Sequence, residues 1–339
     1  MNSESFKTTQ DLCLPLIEAR LNAFFSDKAQ DGLEWSAQMG HYHFSTGGKR
    51  LRALIPCWIY AAYGKDPREA IPLGCALELI HNATLVHDDL QDGDLVRRGK
   101  ATVWAKFGNA QAINCGDSLF YFSIQMLSEM NLPAKSFQKI TLRLIQGALQ
   151  VIEGQAQEFL MKSEVEPKLK RYLGVIRGKT AALIATAVVS SLEALGVEPD
   201  ACARAEEVAL ESGILFQIQD DLLDIYGDKA RDQRATDIAE GKISALIASL
   251  NEVANPQDRN RVSEILKTER AQTTDNQINE VLQLFDKYDI QGAVLKQVRA
   301  SISRAESHAL LRENPALHEF WGFLLEVNSL FLKPIQHLL

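Results

Sequence analysis

The sequence is short of the features that mark several broad protein classes. It has no CxxC pair. Its five cysteines, Cys13, Cys57, Cys75, Cys115 and Cys202, are odd in number and scattered. Neither a disulfide framework nor a cysteine metal site is expected from them, and they read as reduced core residues of a cytosolic protein. Long apolar runs are missing too. The longest, residues 53–63 and 181–189, are too short to cross a bilayer, so no stable membrane insertion is expected. The opening residues, MNSESFKTTQDLC, hold no apolar signal core. Positive charge is in deficit: 36 Lys and Arg stand against 44 Asp and Glu, a net charge of -8. That argues against a broad surface for nucleic acid or anionic lipid, and no nucleic-acid partner is expected. Alternating β-branched stretches and low-complexity linkers are scarce, and most Pro and Gly fall near the ends of periodic segments.

What is present is helical periodicity. With 46% hydrophobic residues there is ample material for a large core. Apolar residues recur at helical spacing over residues 8–25, 49–63, 67–92, 111–130, 133–159, 167–195, 201–226 and 237–252. About four further amphipathic helices are expected from residue 256 to 339. The whole, residues 1–339, reads as one all-α domain with its most apolar part between roughly residues 50 and 225.

The most informative stretch is ELIHNATLVHDDLQDGDLVRRGK, residues 78–100. It carries Asp88, Asp89 and Asp92 as Asp-Asp-x-x-Asp. In a helix, His81, Thr84, Asp88 and Asp92 fall on one stripe. Like charges one turn apart repel, so folding does not ask for that pairing. A hard divalent cation would. A solvated acidic helix end is the plainer alternative. FQIQDDLLD repeats the pattern at Asp220, Asp221 and Asp224, again late in an apolar helix, where the helix dipole disfavours negative charge. Two clusters of identical spacing point to a cavity mouth with two facing carboxylate walls. Mg²⁺ between them would hold a substrate diphosphate, because Mg²⁺ favours a couple of carboxylates plus phosphate oxygens and water.

Cations that suit the same anion are Lys49 and Arg52 in GGKRLR, Arg97 and Arg98, Lys179 in an apolar segment, and Lys242 in DIAEGK. Each alone could be a solvated or snorkelling side chain. Together with GKATVW, AQAINCGDSLF, GQAQEF and GKT, these motifs resemble the trans-isoprenyl diphosphate synthases, the polyprenyl synthetase family, over roughly residues 44–245. The resemblance implies the isoprenoid synthase fold: antiparallel helices around a deep central cavity. It also implies a homodimer and about three Mg²⁺ ions. Asp88, Asp92 and Asp220 would be the principal metal ligands, supported by Asp89, Asp221 and Asp224. An allylic diphosphate would be held also by Arg97, Lys179 and Lys242. Isopentenyl diphosphate would sit on Lys49, Arg52, His81 and Arg98. The oxygens of Thr180 and Gln217 would steady an allylic cation.

The implied reaction is condensation to an all-trans polyprenyl diphosphate. Ala83 and Thr84 are small where an aromatic accompanies farnesyl length, which points to geranylgeranyl or longer. Phe120, Tyr121 and Phe122 could floor the cavity deeper down. Three departures stand out. Gln233 and Arg234 occupy the place of a usual Gly-Lys, with Lys229 and Arg231 as other candidates. Glu158 replaces a frequent Asp. EGKISALI lacks the common Thr-Leu-Pro ending. A farnesyl diphosphate synthase, a class I terpene cyclase and a non-catalytic subunit are the alternatives. GGKRLR and the second arginine argue against the cyclase, and the two intact aspartate clusters against the subunit.

Overall fold

The computed structural model describes residues 3–227, 235–306, 328 and 333–335. Lys229, Arg231, Gln233 and Arg234 lie outside the described residues, as does most of the chain after 306. In chain order the helices are α1 (Ser3–Gln30), α2 (Glu34–Phe44), α3 (Leu51–Ala62), α4 (Ile71–Gln91), α5 (Val103–Phe107), α6 (Asn109–Leu127), α7 (Ala134–Lys162), α8 (Leu169–Ile176), α9 (Ala182–Ala194) and α10 (Pro199–Tyr226). They continue as α11 (Thr236–Ala239), α12 (Ala245–Val253), α13 (Pro256–Leu266), α14 (Asp275–Lys287) and α15 (Ile290–Glu306). Among the described residues the only sheet is a two-stranded ladder, β1 (Val96–Arg97) with β2 (Lys100–Ala101). The architecture is all-α.

The chain divides into two compact units. The first holds described residues 3–149 and 183–206, the second 150–182, 207–306, 328 and 333–335. In the first, α4 packs along α6 and α3. Close approach is permitted by glycine. A Cβ on Gly116 of α6 would lie 2.2 Å from the His87 ring of α4, and one on Gly74 of α4 would lie 2.3 Å from the Ala53 carbonyl oxygen of α3. Trp58 of α3 stacks on Phe6 at 3.9 Å and donates to its carbonyl oxygen, which pins the start of α1. Trp58, Phe24, Leu73 and Leu77 are fully buried, each worth about 1.5–3 kcal/mol of apolar burial.

In the second unit, Ile218 and Leu222 of α10 meet Leu246 and Leu250 of α12, with Val262, Val281, Phe285 and Val298 from the later helices. The segment expected as one helix over 167–195 runs as α8 and α9 joined by a π-helical turn, Arg177–Ala181. This helical run is long and apolar enough to cross a membrane, longer than the sequence runs suggested, yet most of it is buried. The segment expected as one helix over 237–252 is instead broken between α11 and α12. There Gly241 turns at φ +64°, and a Cβ on it would lie 2.3 Å from the Leu266 carbonyl oxygen. The cysteines are all free and buried.

Candidate active site

The first acidic cluster closes α4. Asp88 and Asp89 lie in its last turn, and Asp92 is the C-cap, donating its N–H to the Asp88 carbonyl oxygen at 2.8 Å. Gly93 then turns at φ +71°. The Asp94 carbonyl oxygen accepts from Thr102 Oγ1 at 2.7 Å and Trp104 Nε1 at 2.8 Å, which folds the chain back into the β1–β2 hairpin. Arg98 and Gly99 form its two-residue turn, both with positive φ (52° and 76°), the geometry of the tight primed turns. The ladder is too short for alternation to announce it in the sequence.

The hairpin delivers Arg97 to Asp89. The Asp89 Oδ1 accepts from Arg97 Nε at 2.7 Å and Nη2 at 2.6 Å. Asp89 is buried, and its Oδ2 has no hydrogen-bond partner among the described residues. Burial pushes the Asp89 carboxyl up, and Arg97 opposes this. Asp88 and Asp92 are half-buried. The two carboxylates at the rim thus differ in kind from the one beneath them.

Beside this end of α4 stand the cations. Arg52 Nη1 lies 3.2 Å from His81 Nε2. Burial drives the His81 imidazole well below its usual range, reinforced by Arg52, Arg98 and Arg97, so it is neutral in a cationic setting. Arg98 Nη1 donates to the Gly47 carbonyl oxygen, and Lys49 is exposed. Arg50, between two expected ligands, is not one of this set. It is buried with φ +50°, donating to Glu18 Oε1 at 2.8 Å and the Phe44 carbonyl oxygen at 2.9 Å, with Glu78 Oε1 at 3.5 Å. Glu78 also accepts from Asn82 Nδ2, and Asn82 Oδ1 meets His43 Nε2 at 3.1 Å. This buried string of Arg50, Glu78, Asn82 and His43 holds the floor under the cations. Sequence reasoning missed it, although Glu78 and Asn82 flank His81 within ELIHN.

The second cluster, in the second unit, is wired otherwise. Asp220 is exposed. Asp221 is buried and accepts three bonds: Tyr172 hydroxyl to Oδ2 at 2.5 Å, Ala245 N–H to Oδ2 at 2.7 Å and Gln217 Nε2 to Oδ1 at 3.0 Å. Burial pushes its carboxyl up to about 6 against those donors. Asp224, also buried, accepts from Thr236 N–H and Oγ1 and from Asp237 N–H, at 3.2, 2.6 and 3.1 Å. It clamps the chain where residue 235 re-enters. The unfavourable helix-end charge read from the sequence is therefore offset, for these two aspartates, by protein donors.

Gln217 Oε1 accepts from Thr180 Oγ1 at 2.7 Å. Thr180 and Lys179 lie on the π-helical turn, and Lys179 Nζ donates to Glu158 of α7. π-Turns of this kind are frequent at functional sites. Gly154 and Gly213 let α7 and α10 reach the turn: added Cβ atoms would lie 2.2 Å from Lys179 N and 2.5 Å from Ala181 Cα. Lys242 Nζ pairs with Glu240 at 2.5 Å, and Glu240 also takes Arg270 at 2.8 Å.

The length-gauge residues sit in the first unit. Ala83 is fully buried, and Thr84 is buried with Oγ1 donating to the His81 carbonyl oxygen. Phe122 is buried edge-on to Phe24 at 5.6 Å, whereas Tyr121 is 75% exposed. Among the described residues no three His, Cys, Asp or Glu side chains gather as a ready metal cage. The donor set still fits Mg²⁺. Hard oxygens at Asp88 and Asp92 in the first unit, and at Asp220 in the second, each suit an ion that draws the rest of its shell from phosphate and water.

The polyprenyl synthetase family profile matches residues 33–285. The chain is 30% identical over 288 residues to a short chain isoprenyl diphosphate synthase of Methanothermobacter thermautotrophicus, covering 83% of this chain and 87% of the relative. It is 31% identical over 247 residues to the octaprenyl diphosphate synthase of Escherichia coli, covering 71% and 73%. The crystal structure of geranylgeranyl pyrophosphate synthetase from Pyrococcus horikoshii superposes with a TM-score of 0.82 at 26% identity, over 96% of this chain and 98% of that one. Agreement of motifs, fold and identity over most of the length settles the assignment: the chain belongs to the polyprenyl synthetase family and is a prenyltransferase.

Proposed function

We propose that the protein condenses isopentenyl diphosphate with an allylic diphosphate, giving an all-trans polyprenyl diphosphate of geranylgeranyl length or longer. The observation that carries this is local to the end of α4. Arg52, Arg97 and Arg98 act on the neutral His81, and Arg97 pairs with Asp89, on the helix whose end carries Asp88 and Asp92. Cations and carboxylates placed together serve two diphosphates better than one: a metal-held leaving group and a cation-held acceptor substrate. Lys49, Arg52, His81 and Arg98 would bind isopentenyl diphosphate. Arg97, Lys179 and Lys242 would bind the allylic diphosphate. In the second unit, Lys179 and Lys242 now face Glu158 and Glu240, which would yield them to a phosphate.

Asp88, Asp92 and Asp220 would hold about three Mg²⁺ ions, with Asp89, Asp221 and Asp224 in support. When bound, Mg²⁺ supplies charge neutralisation of the departing diphosphate. The chain's own residues orient the substrates, exclude water and present the Thr180 and Gln217 oxygens to the developing positive charge. The buried Ala83 supports a longer product than farnesyl diphosphate, as do relatives named for geranylgeranyl and octaprenyl diphosphate. Reduced, buried cysteines support a cytoplasmic location. A homodimer is supported by α7, whose Leu142, Ile145, Leu149 and Ile152 are exposed at near-heptad spacing.

The test mixes the purified protein with Mg²⁺, farnesyl diphosphate and labelled isopentenyl diphosphate. Elongated diphosphates are expected. Cyclised hydrocarbon would move the assignment to a cyclase, and absence of turnover to a partner-dependent subunit. Ala83→Phe is expected to shorten the product, and unchanged length would remove position 83 from the gauge. Light scattering is expected to give twice the chain mass, falling to the monomer in Leu149→Glu.

A further inference from the structure

We infer that Tyr172 is a positioning residue for the condensation, setting the direction of the Gln217 amide and through it the face that Thr180 presents. The inference rests on the function proposed above. Tyr172 lies on α8, seven residues before Lys179, and its hydroxyl is buried against Asp221. It touches no expected substrate group. Its place in the hydrogen-bond order gives it an effect at a distance.

An ionised carboxylate only accepts, so each of the three groups that meet Asp221 must donate. Tyr172 and the Ala245 N–H share Oδ2, and Gln217 reaches Oδ1. Of the two ends of a glutamine amide, only the NH₂ can fill that role. Gln217 Oε1 is thereby turned the other way, where it accepts a hydrogen bond from the Thr180 hydroxyl at 2.7 Å. Both oxygens at the far end of the relay, Gln217 Oε1 and Thr180 Oγ1, then keep lone pairs for a positive centre. Were the amide reversed, its NH₂ would point where the oxygen now is, and a wall that attracts a cation would repel it. Tyr172 and Ala245 hold the carboxylate in the plane that selects the first arrangement. The Ala245 N–H is fixed by the start of α12, so the hydroxyl is the part of this clamp that a side-chain change can remove.

The clamp predicts a selective defect in Tyr172→Phe. Turnover should fall about tenfold, the worth of one oriented polar contact, with KM for both diphosphates within about twofold of wild type. Two non-reacting ligands separate positioning from general damage. One is an allylic ammonium diphosphate, whose nitrogen carries the charge of the ionised substrate. The other is the neutral-tailed allylic thiolodiphosphate. Calorimetric Kd for the ammonium ligand should weaken about tenfold in Tyr172→Phe while the thiolodiphosphate stays within about twofold. Parallel weakening of both, or of neither, would overturn the inference.

A double-mutant cycle gives a second handle. Gln217→Met keeps the shape and removes both amide ends, so adding Tyr172→Phe to it should change the ammonium Kd no further. Additive losses would show that Tyr172 acts by some route other than Gln217. If Tyr172→Phe fails to melt cooperatively, Gln217→Met alone must show the same selective loss, and equal loss for both ligands sinks the relay. Failure of wild type to elongate would strike the proposed function instead, an outcome distinct from a normal Tyr172→Phe in an active background.

Discussion

The two Asp-Asp-x-x-Asp clusters share a spacing and differ in wiring. In the first, the middle residue, Asp89, is sunk into an ion pair with Arg97, and Asp88 and Asp92 stay at the rim. In the second, the later two, Asp221 and Asp224, are sunk, and only Asp220 is exposed. The buried partners differ as well. Asp89 meets a charged guanidinium, whereas Asp221 and Asp224 meet neutral hydroxyl, amide and backbone donors. Identical spacing thus encodes two devices: one orients an arginine of the basic site, the other orients a glutamine and clamps the chain at residue 235.

The largest effect expected from this comparison is on turnover. Asp88→Ala and Asp220→Ala should each cut condensation by roughly 10²–10³-fold. Neither should move the melting transition much, because an exposed or rim carboxylate contributes within about 0.5 kcal/mol. Steady-state kinetics beside a thermal melt would check both halves. Near-normal turnover in Asp220→Ala would break the reading of the exposed member as the ligand of its cluster.

The buried members should answer in stability. Asp89→Ala strands Arg97, which is only 24% exposed, and should cost about 3 kcal/mol. Asp221→Ala leaves a buried hydroxyl and a backbone N–H without an acceptor and should cost about 2 kcal/mol. Denaturant titration of each variant is the measurement. If Asp89→Ala unfolds like wild type, the first cluster has no structural member and the contrast collapses.

How much of this could be read in the sequence follows from what each feature depends on. The α4 stripe, the late position of the second cluster and the all-α class follow from helical period alone, so they were legible. The burial order within each cluster was not, because Asp88 and Asp89, or Asp220 and Asp221, are neighbours of the same type, and only packing from α8, α12 or the hairpin tells them apart. Arg50 sits in GGKRLR between the expected ligands Lys49 and Arg52. Its φ of +50° turns it inward, and single-sequence pattern carries no signal for that. The π-turn at Lys179 depends on Gly154 and Gly213, each far from it along the chain. Tyr172 stands among Lys170, Arg171 and Arg177 on the approach to GKT, and nothing in that stretch names Asp221, 49 residues on, as its partner. The break at Gly241 needed the Leu266 carbonyl oxygen to explain it.

The smallest effect is the pH slope of stability, and it should carry opposite signs in the two regions. His43, buried among Arg97, Arg98 and Arg50 and bonded to Asn82, is pushed down to about 3 from 6.5, mainly by burial. Below pH 6.5 the unfolded chain gains a proton there that the folded chain refuses. The stability tied to His43 is therefore present above 6.5 and lost as pH falls toward 3, by up to about 1.4 kcal/mol per pH unit. Asp221 runs the other way. Its carboxyl is raised from 3.8 to about 6, so the folded form holds the proton longer, and its contribution is present below 3.8 and lost as pH rises through 6. Between pH 4 and 6, in chelator and without substrate, His43→Gln should make stability rise less steeply with pH, and Asp221→Asn should make it rise more steeply. Slopes that move together would mean that one region governs the acid limb of the whole chain, and the contrast between a charge-built and a donor-built cluster would not extend to stability.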